Sequence, residues 1–330
     1  MSTSVTFINK AKEIGGPSTF QTNFTQYCER HGIKVFLRND YHQPQNIIVI
    51  SGTKRIIYLL QCKLFHRAKI IQRVDGFEFL PFRSSNFFGW IRNRIQYFVI
   101  IFIMIILADA VVYQSKFVEN WWNRRLPGFR LKNTSIILNG YNPVFDGCKI
   151  RCADGDLLFF AVEGGVKVNA YTKGILRAVD GVLRERKKCE VLRVYGNLEG
   201  QIEEDYTNIK FMGTVSRREV AELYKAGRPI FLLLEREAPC PNSLIEAVGA
   251  GVPSIGGNDG SFPEIAGYSG LSFSHTLVIS DWDLFKNQLD RLISHIDTNY
   301  AQFMDAAVIR SSELKLENMM SQYINILKST

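Results

Sequence analysis

Short apolar runs alternate with longer amphipathic segments along the first part of the chain. Runs rich in Val, Ile and Phe are typical of buried strands, and the amphipathic segments have helical spacing. The runs that predict strands are Val5–Ile8, Lys34–Arg38, Asn46–Ser51, Ala68–Gln72, Val111–Tyr113 and Ser135–Leu138. Helices are predicted over about 18–31 and over Lys54–Phe65. Strands that alternate with helices indicate a doubly wound parallel sheet, with its ligand site at the carboxyl ends of the strands.

The rest of the chain repeats this alternation. Strands are predicted at Leu157–Val162, Val191–Tyr195, Ile230–Leu234 and Val252–Ile255, and helices at Thr172–Arg186 and Arg217–Ala226. A helix over about 311–327 places its apolar residues, Leu314, Met319, Met320, Tyr323 and Leu327, on one side. The 330 residues suffice for two domains. We therefore predict α/β domains at 1–145 and 146–310, and a C-terminal helix at 311–330.

One apolar segment, 90–107, differs from the others. Its last thirteen residues, Ile95–Leu107, contain only Gln96 as a polar interruption, which is short for a membrane span of about 20 residues. Two interpretations stay open. The segment is a buried helix that leads into the next strand, or a helix whose outer face enters a bilayer. In the second case Arg83, Trp90, Arg92 and Arg94 would lie at headgroup level.

Charge is distributed unevenly. Residues 1–145 carry 19 Lys and Arg against 7 Asp and Glu, or +12, and residues 146–330 carry 21 against 25, or −4, which sum to the net charge of +8. A basic half suits nucleic acid or an anionic membrane. No nucleic-acid signature is present, so the charge favours a membrane surface over nucleic acid, and a merely solvated basic face stays open as an alternative. The six Cys lack zinc-site spacing, which predicts no metal, and their scattered positions suggest a reducing cytosol. Together with the basic half, they predict a cytoplasmic protein at the inner face of the plasma membrane.

Residues 238–264 are the most informative segment. An apolar run, Pro229–Leu234, predicts a buried strand, and a Pro-rich loop follows it. Asn242 and Ser243 are good N-cap types for a helix around 245–250. A helix N-terminus at the end of a strand is a site for phosphate, and a carboxylate in its first turn, Glu246, suits a ribose hydroxyl. The segment therefore predicts a nucleotide diphosphate pocket.

This segment also carries a family resemblance. Residues 241–265, PNSLIEAVGAGVPSIGGNDGSFPEI, resemble the donor-binding segment of family 4 glycosyltransferases. Further segments that resemble the family are GGPSTF (15–20), IIQRVDGF (70–77), ADAVVYQSKFVENWW (108–122), SIILNGYNPVF (135–145), VYGN (194–197) and IKFMGTVSRREVAELY (209–224). The resemblance implies the GT-B fold, in which two Rossmann-like domains face each other across a cleft and the last helix returns to the first domain.

The resemblance also implies an activity and its residues. It implies an EC 2.4 enzyme that transfers a sugar, with retention, from a nucleotide diphosphate sugar to a lipid-linked or polysaccharide acceptor. UDP is favoured over GDP, and neither metal nor cofactor is expected. The family has two Glu separated by seven positions. Glu246 matches the second, whereas the first falls on Ala238. Glu237, one residue away, would substitute for it if the loop shifts. Pro241, Asn242, Ser243 and Leu244 would place the N-terminus of the helix against the donor.

Other candidate residues lie at predicted strand ends. Lys173 matches the family lysine that stabilises the leaving diphosphate, and Lys167 is the cation nearest to the place of the missing family arginine. Gly15 and Gly16 would approach the diphosphate. The nucleobase would be bordered by Gly196, Asn197, Gly213 and Thr214. Asp75 stands where the family often has His, and would contact a donor hydroxyl or deprotonate the acceptor.

Two other functions stay open. The replacement of the first Glu by Ala238, the missing arginine and Asn142 in place of a usual Asp favour a catalytically impaired GT-B module that binds nucleotide or glycan as a scaffold. A nucleotide-sugar epimerase on the same scaffold is disfavoured, because clear acid and base carboxylates are missing from the expected segments.

Overall fold

The computed structural model describes residues 4–9, 16–37, 44–76, 87–129, 131, 133–146, 156–186 and 190–329. Its contacts divide the chain into two compact units, which are Met1–Leu138 with Met319–Thr330 (unit 1) and Asn139–Asn318 (unit 2). The structure therefore places the boundary between the units after Leu138, earlier in the chain than the boundary near 145 that the charge balance predicted. The reason is that Tyr141 and Phe145 are buried, and Phe145 packs against Tyr224 of unit 2.

Unit 1 is built on one parallel sheet. The described strands are β1 (Ser4–Phe7), β2 (Lys34–Leu37), β3 (Asn46–Ile50), β4 (Lys69–Val74), β5 (Ala110–Tyr113) and β6 (Thr134–Ile136). They pair in parallel in the order β2-β1-β3-β4-β5-β6. The helices are α1 (Gly16–Arg30), α2 (Ile56–Phe65), α3 (Phe87–Phe102), which continues as a π-helical turn at Ile103–Leu107, and α4 (Lys116–Arg125). The predicted strands are therefore all found, with ends that shift by a few residues.

Helices α2 and α3 cover the sheet through their apolar inner faces. Leu59 and Cys62 of α2 and Ile103 and Leu107 of the π-helical turn pack with Ile70 of β4 in one core cluster. The segment that had two interpretations is thus buried on one side near its C-terminal end. Its other side is exposed, so the strict interpretation as a buried helix is wrong for α3.

Unit 2 repeats the architecture. Its described strands are β7 (Leu157–Lys167), β8 (Leu192–Glu199), β9 (Ile209–Gly213), β10 (Arg228–Leu232), β11 (Ser254–Gly257) and β12 (Gly270–Phe273). The sheet order is β12-β11-β10-β7-β8-β9, again parallel throughout. The helices are α5 (Ala170–Arg186), α6 (Arg217–Leu223), α7 (Asn242–Gly249), α8 (Phe262–Ala266), α9 (Leu277–Ser280), α10 (Trp282–Thr298) and α11 (Tyr300–Ser311). Strands β9 and β12 were not predicted, because each is short and only part of it is buried.

The last helix, α12 (Leu316–Lys328), starts at the end of unit 2 and belongs to unit 1 from Met319 onward. Within unit 1, the ring of Tyr323 lies 5.0 Å from that of Phe20 and 6.1 Å from that of Phe24, both on α1. All five apolar residues that the sequence placed on one side of this tail are buried. The apolar face of α12 therefore completes the core of unit 1 on the side of α1.

Candidate functional site

The N-terminus of α7 is held in place by Asn139. The Asn139 side-chain amide donates to the Cys240 carbonyl (3.2 Å) and to Oδ1 of Asn242 (2.9 Å). Pro241 occupies the N-cap position, so the prediction that Asn242 or Ser243 caps the helix is wrong. The first N–H groups of a helix lack partners within it. Asn139 therefore holds the Asn242 side chain at the first turn of α7, and a helix N-terminus of this kind can bind an anion.

Glu246 lies one turn into α7, largely buried. Its Oε1 is 3.1 Å from Nε of Arg217, the first residue of α6. Burial raises the pKa of Glu246 to about 7, and the charge of Arg217 opposes this shift. The fully buried Tyr224 lies within electrostatic range. Arg217 therefore orients the carboxylate of Glu246, and the raised pKa places its change of protonation near neutral pH.

A second carboxylate, the partly buried Glu163, was missed from the sequence. It lies in the second half of β7, and its Oε1 accepts a hydrogen bond from the Leu234 N–H (3.0 Å), two residues after β10. Burial raises the pKa of Glu163 to about 8, with a further increase from Glu235, while backbone hydrogen bonds and Lys167 oppose it. An acidic residue in a buried strand was the available signal. Glu163 fixes the start of the loop that leads to α7.

This carboxyl group predicts a pH dependence of stability. Because its pKa is raised on folding, its stabilising contribution is complete below about pH 4.5 and is lost as pH rises through about 8. We expect Glu163→Gln, which keeps an acceptor for Leu234, to flatten the decrease in unfolding free energy between pH 5 and 8 by on the order of 1–3 kcal/mol. Urea unfolding at several pH values measures this. Parallel profiles for the variant and the wild type would contradict it.

Lys167 and Lys173 lie on either side of the short connection between β7 and α5. Lys167 is exposed, and its carbonyl accepts a hydrogen bond from Oγ1 of Thr172 (2.7 Å). Lys173 is in the first turn of α5, half-buried, and close enough to Glu204 for their charges to interact. A Cβ at Gly174 would lie 2.6 Å from the Val278 carbonyl oxygen, so the glycine after Lys173 lets α5 approach α9 closely.

Ala238, which stands at the position of the missing family glutamate, is buried by packing. Ala238 is 1% exposed, and its carbonyl accepts hydrogen bonds from the N–H and the hydroxyl of Ser261, both at 2.9 Å. Glu237, its neighbour, has a left-handed φ of 51° and an exposed side chain. Its carboxylate lies 3.8 Å from Arg236. Glu237 is therefore not buried in the place of the family residue.

Asp259 is another carboxylate in this region that the sequence did not indicate. Its Oδ2 lies 3.3 Å from Nε of Arg236, and its side chain is 9% exposed. Oδ1 of Asp259 and the hydroxyl of Tyr171 are buried and have no hydrogen-bond partner among the described residues. Both atoms lie 2.5 Å from the position that a Cβ on Gly257 would take. Glycine at 257 thus leaves space between two unsatisfied polar groups.

The four candidates for the nucleobase lie at adjacent strand ends. Gly196 and Asn197 are in the last part of β8, and Gly213 ends β9, which pairs with β8 through Tyr195. Gly196 has a φ of 141°, and a Cβ there would lie 2.3 Å from the Glu163 carbonyl oxygen. Gly213 also has a positive φ, 74°, and Thr214 is exposed. The sheet therefore brings these residues to the same edge as Glu163.

The candidates of unit 1 lie at the carboxyl ends of β3 and β4. Asp75 follows β4, and its Oδ1 accepts a hydrogen bond from the hydroxyl of Ser51 (2.5 Å), which follows β3 with a left-handed φ of 57°. Its backbone carbonyl accepts from the Trp122 indole N–H (2.9 Å). Arg73, on β4, is buried with its guanidinium 4.4 Å from the Phe20 ring centroid. Gly16 begins α1, and Gly15 is outside the described residues.

In the part of the chain that the structure describes, no three His, Cys, Asp or Glu side chains converge as a metal site would require. Cys28, Cys62 and Cys240 are buried.

Comparisons with known proteins agree with this geometry. Residues 164–295 match the family described as Glycosyl transferases group 1, and no curated protein matches the sequence. The chain is similar to sucrose-phosphate synthase from Thermosynechococcus elongatus, with a TM-score of 0.69, 14% identity and 98% of each chain covered.

Two further solved structures show the same fold. One is WaaG, a glycosyltransferase involved in lipopolysaccharide biosynthesis, with a TM-score of 0.65, 12% identity, and 99% of this chain and 100% of the other covered. The second is an α,α-trehalose-phosphate synthase (UDP-forming) from Burkholderia xenovorans, with a TM-score of 0.67, 9% identity and the same coverage. The chain therefore has the GT-B fold, and residues 164–295 match the family Glycosyl transferases group 1.

Proposed function

We propose that unit 2 binds a nucleotide diphosphate sugar, with UDP favoured over GDP. The observation that carries this proposal is the pairing of a laterally held helix N-terminus with the buried carboxylate of Glu246. Backbone N–H groups of residues 242–244 would bind the diphosphate, and Glu246 would accept hydrogen bonds from the ribose hydroxyls. The name of the solved synthase from B. xenovorans, which is UDP-forming, supports the choice of UDP.

Departure of the diphosphate develops negative charge, which cationic side chains and oriented N–H groups stabilise. The positive charge is supplied by Lys173, in the first turn of α5, and by Lys167, the last residue of β7. In this mechanism the chain's own cations replace a metal ion, and no cofactor takes part. Retention of configuration follows the family resemblance.

The acceptor is proposed to be lipid-linked or polysaccharide. Asp75 would contact it or the donor sugar, because its carboxylate is oriented by Ser51 at the end of β4. The net charge of +12 over residues 1–145 supports a peripheral location on the cytoplasmic face of an anionic membrane, and nucleic acid is not a proposed partner. WaaG, which is named for a role in lipopolysaccharide biosynthesis, supports an acceptor of this class.

The test is a panel of UDP- and GDP-sugars, each incubated with the protein with and without a lipid-linked acceptor, in buffer containing EDTA. We expect release of nucleoside diphosphate from a UDP-sugar, with a rate that the acceptor increases. Binding of nucleotide without release from any donor would favour the scaffold function instead. Release that requires added Mg²⁺ or Mn²⁺ would contradict the metal-independent mechanism.

A further inference from the structure

Helix α3 carries an apolar stripe on the side that does not pack on the sheet. Phe88, Ile95, Phe98 and Phe102 are exposed by 81%, 57%, 66% and 37%. At about 100° per residue they occupy an arc of about 80°. Ile106, in the π-helical turn, is 58% exposed and extends the stripe. We name these five residues the apolar face of α3.

Helix α2 adds a second stripe next to it. Ile57, Leu64 and Phe65 are exposed by 74%, 70% and 76%. Their spacing of seven and eight residues places them on one side of the helix. The inner residues of α2 pack with Val99 of α3 against one core cluster, so the two helices are neighbours on the same face of the sheet. Together the stripes form an exposed apolar surface of the kind that marks an interaction site.

The charges around this surface are positive. Between residues 79 and 108 the sequence has no Asp or Glu, whereas Arg92 and Arg94 lie on α3. Arg92 is exposed, and the guanidinium of Arg94 lies 5.5 Å from the Trp90 ring centroid. Phe side chains beside Arg and Trp are the composition of a helix that lies in a membrane interface. A basic rim with an apolar centre complements anionic headgroups over acyl chains.

We propose that the apolar face of α3, together with the exposed stripe of α2, docks into the headgroup and acyl boundary of an anionic lipid bilayer. This inference names the membrane-contacting surface of the protein and rests on the proposed function for the peripheral membrane location. A second copy of the chain is a weaker occupant, because a two-fold interface would set the same arginine-bearing surface against itself.

The topology favours a helix that lies in the interface over one that spans the bilayer. Residues Phe87–Leu107 form a helix of 21 residues with a mean hydropathy of 1.6, which suffices by length and composition for a span, and 22% of the most apolar window is buried. However, α3 connects β4 to β5, which are parallel neighbours in one sheet. Ile100, Ile103, Met104 and Leu107 are buried in the two core clusters of unit 1. A spanning helix would have to leave that core.

Vesicle binding tests the surface directly. The probe is vesicles of phosphatidylglycerol and phosphatidylcholine at low salt, with vesicles of phosphatidylcholine alone for comparison. We expect the wild type to sediment with the anionic vesicles and at least tenfold less with the neutral ones. The variant Phe88→Ser/Phe98→Ser should lose at least tenfold in binding, and Arg92→Glu should lose severalfold, with the loss largest at low salt.

The matched control is Ile309→Ser, which removes a 71% exposed side chain from unit 2 and should bind like the wild type. Equal binding by the double variant and the wild type, or by both kinds of vesicle, would overturn the proposal. Quenching of tryptophan fluorescence by brominated lipids provides a second readout, compared between the wild type and Trp90→Phe because the chain has four tryptophans. Equal quenching in the two proteins would also overturn the proposal. Release of UDP in vesicle-free solution should be equal in the double variant and the wild type, so a failure of docking remains distinct from a failure of sugar transfer.

Discussion

Glu246→Ala is expected to lower kcat/KM for the nucleotide sugar by about 10²–10³, mostly through weaker donor binding. A hydrogen bond to a charged group contributes about 1.5–3 kcal/mol, and a ribose offers two hydroxyls to one carboxylate. A loss of about 3–4 kcal/mol corresponds to this factor, since about 1.4 kcal/mol is tenfold. Glu246→Gln keeps one acceptor and should lose about tenfold. Initial rates of UDP release at varied donor concentration measure both.

The pKa of Glu246 gives this prediction a second readout. Burial raises the pKa to about 7 despite Arg217, and the ribose requires the ionised carboxylate. We therefore expect kcat/KM to rise with pH around 7 in the wild type and to lose this step in Glu246→Gln. Arg217→Ala should move the midpoint upward, because it removes the cation that opposes the shift. Glu222→Gln, on the exposed surface of α6, is the control with an unchanged profile. A wild-type profile retained in Glu246→Gln would remove Glu246 from the site.

Lys173→Ala is expected to lower kcat by about 10²–10³, with a much smaller change in donor KM. Loss of one preorganised group that stabilises developing charge costs about 2.7–4 kcal/mol in the transition state. Lys173 supplies this charge in the first turn of α5, where the helix dipole also favours an anion. Single-turnover and steady-state measurements of UDP release separate the effect on chemistry from the effect on binding.

Two lysine variants sharpen this prediction. Lys167→Ala should have a smaller effect, because Lys167 is exposed and its charge also acts on Glu163. Lys225→Ala, which removes an ion pair with Glu222 on the surface of unit 2, should leave turnover unchanged. Normal turnover by Lys173→Ala would place the stabilising charge elsewhere and would refute the role given to this lysine.

Spacing along the sequence predicts the position of the missing family glutamate but not the side chains that surround it in the fold. Spacing from Glu246 locates the missing residue at Ala238, and the nearest carboxylate in sequence is Glu237. The fold instead leaves Glu237 on the surface and places Asp259, from the β11–α8 connection, beside Arg236. A contact between residues 23 positions apart depends on how two loops meet, and no local spacing predicts it.

The sequence by itself determined the two parallel α/β sheets and the resemblance of the Glu246 segment to glycosyltransferases, because hydrophobic period, turn residues and the helix start are local properties. Tertiary structure alone decided the side-chain environments. It placed Pro241 at the N-cap of α7, since Asn139, about a hundred positions away in sequence, holds Asn242 from the side. It partly buried Glu163 and joined it by a hydrogen bond to the loop after β10, and it left the outer stripe of α3 exposed. Burial and charge pairing arise from contacts between distant segments. These contacts set the pKa of Glu163 and of Glu246, and the sides of the helices that lack such contacts stay exposed.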